Sequence, residues 1–319
     1  MNAEPLLTTP FDSAATAAEV IDGVDLTGRR ALVTGGASGI GTETVRALAT
    51  AGAEVTIATR RPAAAEPLIR ELSAVPGAGP VRAAALDLSD LASVDSFART
   101  WGGPLDILVA NAGIMALPTR TVTARGWEMQ LATNFLGHFA LATALHAPLR
   151  DAGTARVVVV SSGAHRTAPF VFDDPHFTHR PYDPWAAYGQ SKSAEVLFTV
   201  AARRWVDDGI TANALNPGYI LTALQRHLDD DTMRGFGVMD DEGNLTPLPH
   251  YKTPAQGAAT SVLLAASPLL KGVTGRYFED NQEARVVHGD EDQPGGVAAH
   301  ALDPRAADRL WEYAAAAIR

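Results

Sequence analysis

Ala31-Leu-Val-Thr34 runs directly into Gly35-Gly36-Ala37-Ser38-Gly39-Ile40-Gly41, and Thr42 to Ala51 then reads as helix. An apolar run ends, a tight turn of residues that tolerate φ > 0 follows, and a helix opens with its first N–H groups unspent. That order suits a pyrophosphate, because free amides and the positive end of the helix dipole face it together. A glycine-rich string by itself also marks ordinary turns. Its place between a strand and a helix, at the head of a repeating β–α pattern, is what points to a dinucleotide.

Outward from this turn, short apolar runs alternate with alanine-rich helical stretches. The runs are Ala31–Thr34, Glu54–Thr59, Val81–Leu86, Ile107–Ala110, Arg156–Ser161, Thr211–Leu215 and a last one near Arg276–Phe278. Val157–Val160 is apolar throughout rather than alternating, which suits a strand buried on both faces of a parallel sheet. The pattern predicts an α/β fold: a single-domain, Rossmann-type, doubly wound parallel sheet of about seven strands with helices on both faces. That domain spans residues 30–285, with an N-terminal appendage over 1–29 and a C-terminal extension over 286–319. Thr16-Ala-Ala-Glu19 reads as a capping box opening a short helix in the appendage. Asp303-Pro304 starts a terminal helix whose apolar face is Leu310, Trp311, Ala314 and Ile318. Residues 163–184 and 219–251 resist a regular reading and are expected to be the substrate loops.

Of the 319 residues, 46% are apolar and 19% charged, and the formal net charge is −10. There is ample material for a large core. An acidic chain without a Lys/Arg-rich run is a poor ligand for nucleic acid or for anionic membrane. The sequence contains no cysteine, which excludes disulfides and thiolate chemistry and fits a cytoplasmic protein. Neither a secretory signal nor an uninterrupted apolar stretch of about 18 residues is present.

Thr34-Gly35, Gly39 and Gly41 are followed in order by Asp87-Leu88, Asn111-Ala112-Gly113, and Asn134 within Asn-Phe-Leu-Gly-His. Next come Ser161-Ser162, Tyr188-Gly-Gln-Ser-Lys192, Asn216-Pro217-Gly218 and Thr222. This ordered series of matches over nearly two hundred residues resembles the short-chain dehydrogenase/reductase family. Three further stretches are similar to its retinol-dehydrogenase and WW-domain-oxidoreductase branch: Phe11-Asp12 to Glu19-Val20, Ala58-Thr59-Arg60, and Tyr251-Lys252-Thr253-Pro254. Neither WW domains nor the N-terminal membrane segment of many retinol dehydrogenases is legible in this sequence, so membrane residence and a retinoid substrate are not expected.

The resemblance implies a nicotinamide cofactor. The second strand run ends at Thr59 where an acidic residue would bind the adenosine ribose, and Arg60-Arg61 follow, so the cofactor is expected to be NADP(H). Arg60 is the first candidate for the 2′-phosphate, with Arg61 and Ser38 as helpers. Gly35, Ser38, Gly39, Ile40 and Gly41 would cradle the pyrophosphate. By resemblance Asp87, beside Leu88, meets the adenine edge; a helix N-cap is its other reading. Asn111, Ala112 and Gly113 let the backbone approach the ribose, and Pro217, Gly218, Ile220 and Thr222 border the nicotinamide.

Tyr188 and Lys192 stand four apart in a helical stretch and share one face. By resemblance Tyr188 moves the proton, Lys192 tunes it and holds the nicotinamide ribose, Ser162 orients the carbonyl, and Asn134 anchors a water beside Lys192. Lowering a tyrosine from its ordinary pKa of about 10 by about three units takes roughly 4 kcal/mol, which two nearby cations could supply.

The substrate is expected to be an apolar small molecule, a cyclic or long-chain ketone, an aldehyde or a secondary alcohol. Phe170, Phe172, Phe177, Tyr182 and Trp185 from the first loop, and Tyr219, Leu221, Leu224, Phe236 and Met239 from the second, either wall the pocket or pack the loops themselves. His176 and His179, beside Asp173 and Asp174, read as a solvated loop, and no metal is expected. A homo-oligomer is compatible with the sequence. Two other readings stand beside the oxidoreductase: a lyase or epimerase with retained cofactor, and a non-catalytic NADP(H)-binding protein.

Overall fold

A computed structural model describes residues 5–288 and 294–319. Its centre is an eight-stranded sheet in the order β3-β2-β1-β4-β5-β6-β7-β8. The strands are β1 Arg30–Thr34, β2 Glu54–Thr59, β3 Val81–Ala85, β4 Ile107–Ala110, β5 Ala155–Val160, β6 Ile210–Asn216, β7 Tyr277–Glu279 and β8 Gln282–Glu283. The first seven run parallel and occupy the seven sequence-expected runs, within a residue or so at each end. β8 is an addition. It turns back antiparallel on β7 through Asp280 and Asn281, both in the left-handed region.

Side-chain alternation along buried strands divides the core in two. Leu32, Leu108, Val157 and Val159 face one layer, with helices Leu91–Thr100, Gly137–Ala144, Pro184–Ala201 and Pro304–Ala317. Ala31, Val33, Ile107, Val109, Val158 and Val160 face the other, with helices Ala17–Ile21, Gly39–Thr50, Glu66–Ser73 and Pro254–Ala266. Apolar strands thus follow from helices covering both faces.

The N-terminal residues are tied into this frame. The Thr16–Glu19 capping box forms, and its helix packs on Pro254–Ala266. The Leu7 and Thr9 amides donate to the side chains of Glu283 and Gln282 at 2.8 and 2.7 Å. At the other end Asp303 caps Pro304–Ala317, and Trp311 meets Phe139 and Trp205 edge-on at 5.0 and 5.2 Å. A short parallel ladder of Val286–Val287 with Val297–Ala298 precedes it. Among the described residues no helix is long and apolar enough to cross a membrane.

Sequence order reverses between β1 and β4, the strands on either side of the switch point. Ligands of open α/β sheets bind in the crevice at the carboxyl ends of strands at such a point. The glycine turn after β1, Asn111 after β4 and Ser161-Ser162 after β5 all lie at that edge.

Candidate active site

The turn after β1 needs its glycines. Gly35 and Gly39 have φ of +67° and +56°. A Cβ on Gly41 would strike the Gly35 carbonyl and lie 2.6 Å from Asn111 Nδ2. Ser38 occupies the N-cap of Gly39–Thr50, yet its side chain makes no capping bond, so the opening amides of this helix are left for a ligand. Thr34 locks the turn to β4: its Oγ1 accepts the Asn111 and Ala112 amides at 2.9 and 3.0 Å, and its carbonyl accepts Asn111 Nδ2 at 2.8 Å.

His138, to which the sequence reading gives no role, completes this junction. Its Nδ1 donates to the Asn134 carbonyl at 2.7 Å, which leaves Nε2 to accept the Thr34 hydroxyl at 2.8 Å. Burial lowers its pKa to about 4 against the opposing pull of the Asn134 carbonyl, and the Lys192 charge lowers it further. The imidazole is therefore neutral, as the hydrogen bonds require.

At the adenosine end Arg60 and Arg61 are exposed along the cleft, and neither makes an ion pair among the described residues. Asp87 and Leu88 also border the cleft. Asp87 holds its own turn, accepting the Ser89 amide and hydroxyl at 2.9 and 2.6 Å. It is not the helix cap that its position suggested, because Asp90 caps Leu91–Thr100 instead. Thr222 rests against the glycine turn: a Cβ on Gly39 would lie 3.2 Å from Thr222 Cγ2.

Ser162, Tyr188 and Lys192 line the same cleft. Pro184–Ala201 is buried on nearly all sides from Ala187 onward, so Tyr188 and Lys192 are not a solvated surface pair. Burial raises the Tyr188 phenol above its ordinary pKa; the Lys192 charge and a hydrogen bond with the Ser162 side chain pull it down, without winning. In the chain alone, then, the phenol holds its proton, contrary to the expected lowering. The expectation depended on two cations. Here one is the cofactor's, and the other is shared with a carboxylate that the sequence reading passed over.

That carboxylate is Glu195. Lys192 Nζ lies 3.1 and 3.0 Å from its two oxygens and donates to the Val160 carbonyl at 2.9 Å. Burial pushes Glu195 up to about 8, with Lys192 opposing. Burial pulls Lys192 down, but its interactions, that with Glu195 first, outweigh the burial and leave it above its ordinary value. Asn134 sits on one π-helical turn, Ala132–Leu136. Its amide is committed: Oδ1 accepts the Ile114 amide at 2.9 Å, and Nδ2 donates to the Ile114 carbonyl and Ser191 Oγ at 3.0 and 2.9 Å.

The cleft encloses about 1200 Å³, and part of its lining is apolar. Trp185, Tyr219, Leu221, Leu224 and Phe236 line it as expected; Met115, Met129, Met233 and Val238 join them. Phe170, Phe172, Phe177, Tyr182 and Met239 do not. Phe170 packs on Phe172 and Tyr313 at 4.8 and 5.6 Å, and Phe177 on Tyr182 at 5.4 Å. These rings fasten the first loop to the rest of the protein. His176 is no solvated residue either: its Nδ1 accepts the Glu128 amide at 3.1 Å and its Nε2 faces the Tyr313 hydroxyl at 2.9 Å. No metal-binding group of His, Asp or Glu occurs among the described residues. The second loop carries local order of its own, a capped turn Ala223–Gln225 and helix Asp230–Gly235 under Asp229.

Residues 29–233 match the short chain dehydrogenase family. The chain belongs to the short-chain dehydrogenase/reductase family. It is 80% identical over 296 residues to a probable oxidoreductase of Streptomyces antibioticus, covering 93% of this chain and 99% of that one. It is 35% identical to human retinol dehydrogenase 14, over 89% of this chain and 84% of the relative. Among solved structures it resembles a protein of Beutenbergia cavernae described as an NAD(P)-dependent gluconate 5-dehydrogenase with bound NADP. That likeness has 27% identity and a TM-score of 0.61, over 81% of this chain and 96% of the other. The family binds a nicotinamide cofactor, and this chain's residues fit one: a glycine cradle that a Cβ would fill, an uncapped helix N-terminus, and a Tyr–Lys pair at the same cleft. The protein is a dehydrogenase/reductase acting on a small molecule.

Proposed function

We propose that this protein is an NADP(H)-dependent carbonyl reductase or alcohol dehydrogenase for apolar ketones, aldehydes or secondary alcohols, with Tyr188 as its proton-transfer residue. The observation that carries the reading is one continuous cleft. Its lining brings together the glycine turn and Arg60-Arg61, the residues Ser162, Tyr188 and Lys192, and an apolar wall. Two unpaired guanidinium groups after β2 favour a 2′-phosphate, and the Beutenbergia cavernae relative holds NADP. The apolar wall and the retinol dehydrogenase among the relatives favour an apolar substrate. The cysteine-free sequence suits the cytoplasm.

Bound NADPH would supply the hydride. Gly35, Ser38, Gly39, Ile40 and Gly41 would hold its pyrophosphate, Asn111, Ala112, Gly113 and Lys192 its riboses, and Pro217, Gly218, Ile220 and Thr222 the nicotinamide side. Ser162 donates a hydrogen bond to the substrate oxygen and orients the carbonyl. Tyr188, kept protonated by burial, gives its proton to that oxygen as negative charge develops there. Lys192 stabilises the phenolate left behind, and its contact with Glu195 at 3.1 Å holds the ammonium in place.

NADPH oxidation over a panel of apolar aldehydes and ketones tests the reading, with Tyr188→Phe as the decisive variant. It should bind NADPH by calorimetry like the unaltered protein and lose at least about a hundredfold in turnover. Reduction at the unaltered rate would refute the role of Tyr188. Product formed without net NADPH oxidation would point instead to the lyase or epimerase.

A further inference from the structure

Three arginines come together at the adenosine end of the cleft, and the third is contributed by the second loop. Arg60 and Arg61 follow β2, while Arg226 follows the turn Ala223–Gln225, and all three line the same cavity. None of them makes an ion pair among the described residues; the side-chain bond recorded for Arg226 goes from its Nη1 to the Ala223 carbonyl at 2.8 Å. Arg60 and Arg61 are close enough to Arg226 for their charges to lower it, beyond the lowering that burial causes. Three mutually repelling cations without a carboxylate, in a chain of net charge −10, are an arrangement that an anion would relieve.

The position of Arg226 is set by local structure. Thr222 and Gln225 form a capping box: Gln225 Oε1 accepts the Thr222 amide at 2.9 Å, and Gln225 Nε2 donates to the Ile220 carbonyl at 2.8 Å. Thr222 in turn packs on Gly39 at the pyrophosphate turn. This short platform therefore fixes Arg226 in the wall of the cavity that Arg60 and Arg61 also line.

We propose that Arg226 closes a three-guanidinium clamp with Arg60 and Arg61 on the 2′-phosphate of NADP(H), so that the loop forming the apolar wall also recognises the cofactor type. The proposal rests on the NADP(H) reading above. A dianionic phosphate monoester offers several acceptor oxygens, enough for forked donors from two sides. Arg60-Arg61 approach from the sheet edge and Arg226 from the loop. Recognition of the phosphate then draws the loop onto the cleft before substrate arrives, and NAD(H), which lacks the phosphate, leaves Arg226 without its ligand.

Arg226→Gln and Arg226→Ala test this, since an exposed side chain at a turn can be changed without harming the core. Calorimetry with NADPH, NADH, adenosine 2′,5′-bisphosphate and 5′-AMP reads recognition, and hydrogen exchange over residues 219–251 reads the loop. Expected is an about ten- to hundredfold loss of affinity for NADPH and the 2′,5′-bisphosphate, with NADH and 5′-AMP changed less than about twofold. In the unaltered protein the bisphosphate should slow exchange over residues 219–251 and 5′-AMP should not, a difference that both variants abolish. If the unaltered protein prefers NADPH while the variants keep that preference, the clamp is wrong and the cofactor reading stands. Equal losses for phosphorylated and unphosphorylated ligands would also overturn it. If the unaltered protein shows no preference for NADPH, the cofactor reading itself fails.

Discussion

His138 joins the cofactor turn to the catalytic centre through one neutral imidazole, so acid should loosen both together. Its side chain is 3% exposed, with Nδ1–H spent on the Asn134 carbonyl and Nε2 accepting the Thr34 hydroxyl. Adding a proton would set Nε2–H against an oxygen whose lone pairs already accept the Asn111 and Ala112 amides. The folded value of about 4 lies below the ordinary 6.5. As pH falls the unfolded chain therefore takes up the proton first. The contribution to stability is whole above about pH 6.5 and drains away toward about pH 4. Each pH unit inside that window costs about 1.4 kcal/mol, so the loss through His138 between about pH 7 and pH 5 is about 2 kcal/mol.

The perturbation is His138→Gln, which can still donate and accept but does not titrate. It should cost about 1–2 kcal/mol near pH 7 through imperfect hydrogen bonds. The gap to the unaltered protein should then close by about 2 kcal/mol near pH 5. His165 is also lowered to about 4, mainly by burial, but it is present in both proteins and cancels. Urea unfolding at the two pH values, followed by tryptophan fluorescence and circular dichroism together, measures the difference. Stability curves that stay parallel to within about 0.5 kcal/mol would refute the argument, since the imidazole would then titrate alike in folded and unfolded chains.

Two other outcomes follow from the site. Gly41→Ala would drive a methyl group into the Gly35 carbonyl and Asn111; it should lower stability by about 1–3 kcal/mol and cofactor affinity at least about tenfold, and unchanged affinity by calorimetry would contradict the cradle. Tyr188 is held above its ordinary value by burial, so its proton-donating form persists through neutrality. Carbonyl reduction should hold its rate from about pH 6 to pH 9 while alcohol oxidation, which needs the phenolate, climbs with pH; a reduction rate falling steadily across that range would count against a neutral donor.

The seven parallel strands were legible because each is a short apolar run that needs no distant partner to be recognised. The glycine turn was legible for a similar reason: tight turns and helix starts are written in adjacent residues. Capping residues mark helix ends just as locally, as Thr16 with Glu19 and Asp303 with Pro304 do. The turn at Thr222–Gln225 and the cap at Asp229 carried the same kind of signal inside a loop read as irregular. β8 is only two residues long, too short for any period to appear.

By itself the sequence determined the order of strands and helices, the glycine turn, and the helix face that carries Tyr188 and Lys192, all set by spacing within a few residues. Tertiary structure decided what those residues experience. It paired Lys192 with Glu195, and burial then settled the direction of the Tyr188 shift. It set His138 between Thr34 and Asn134, turned Phe170 and Phe177 away from the cleft, and brought Arg226 to Arg60 and Arg61. Periodicity tells which face of an element is apolar. Desolvation and charge depend on which distant elements close over that face, and only the packed chain brings them there.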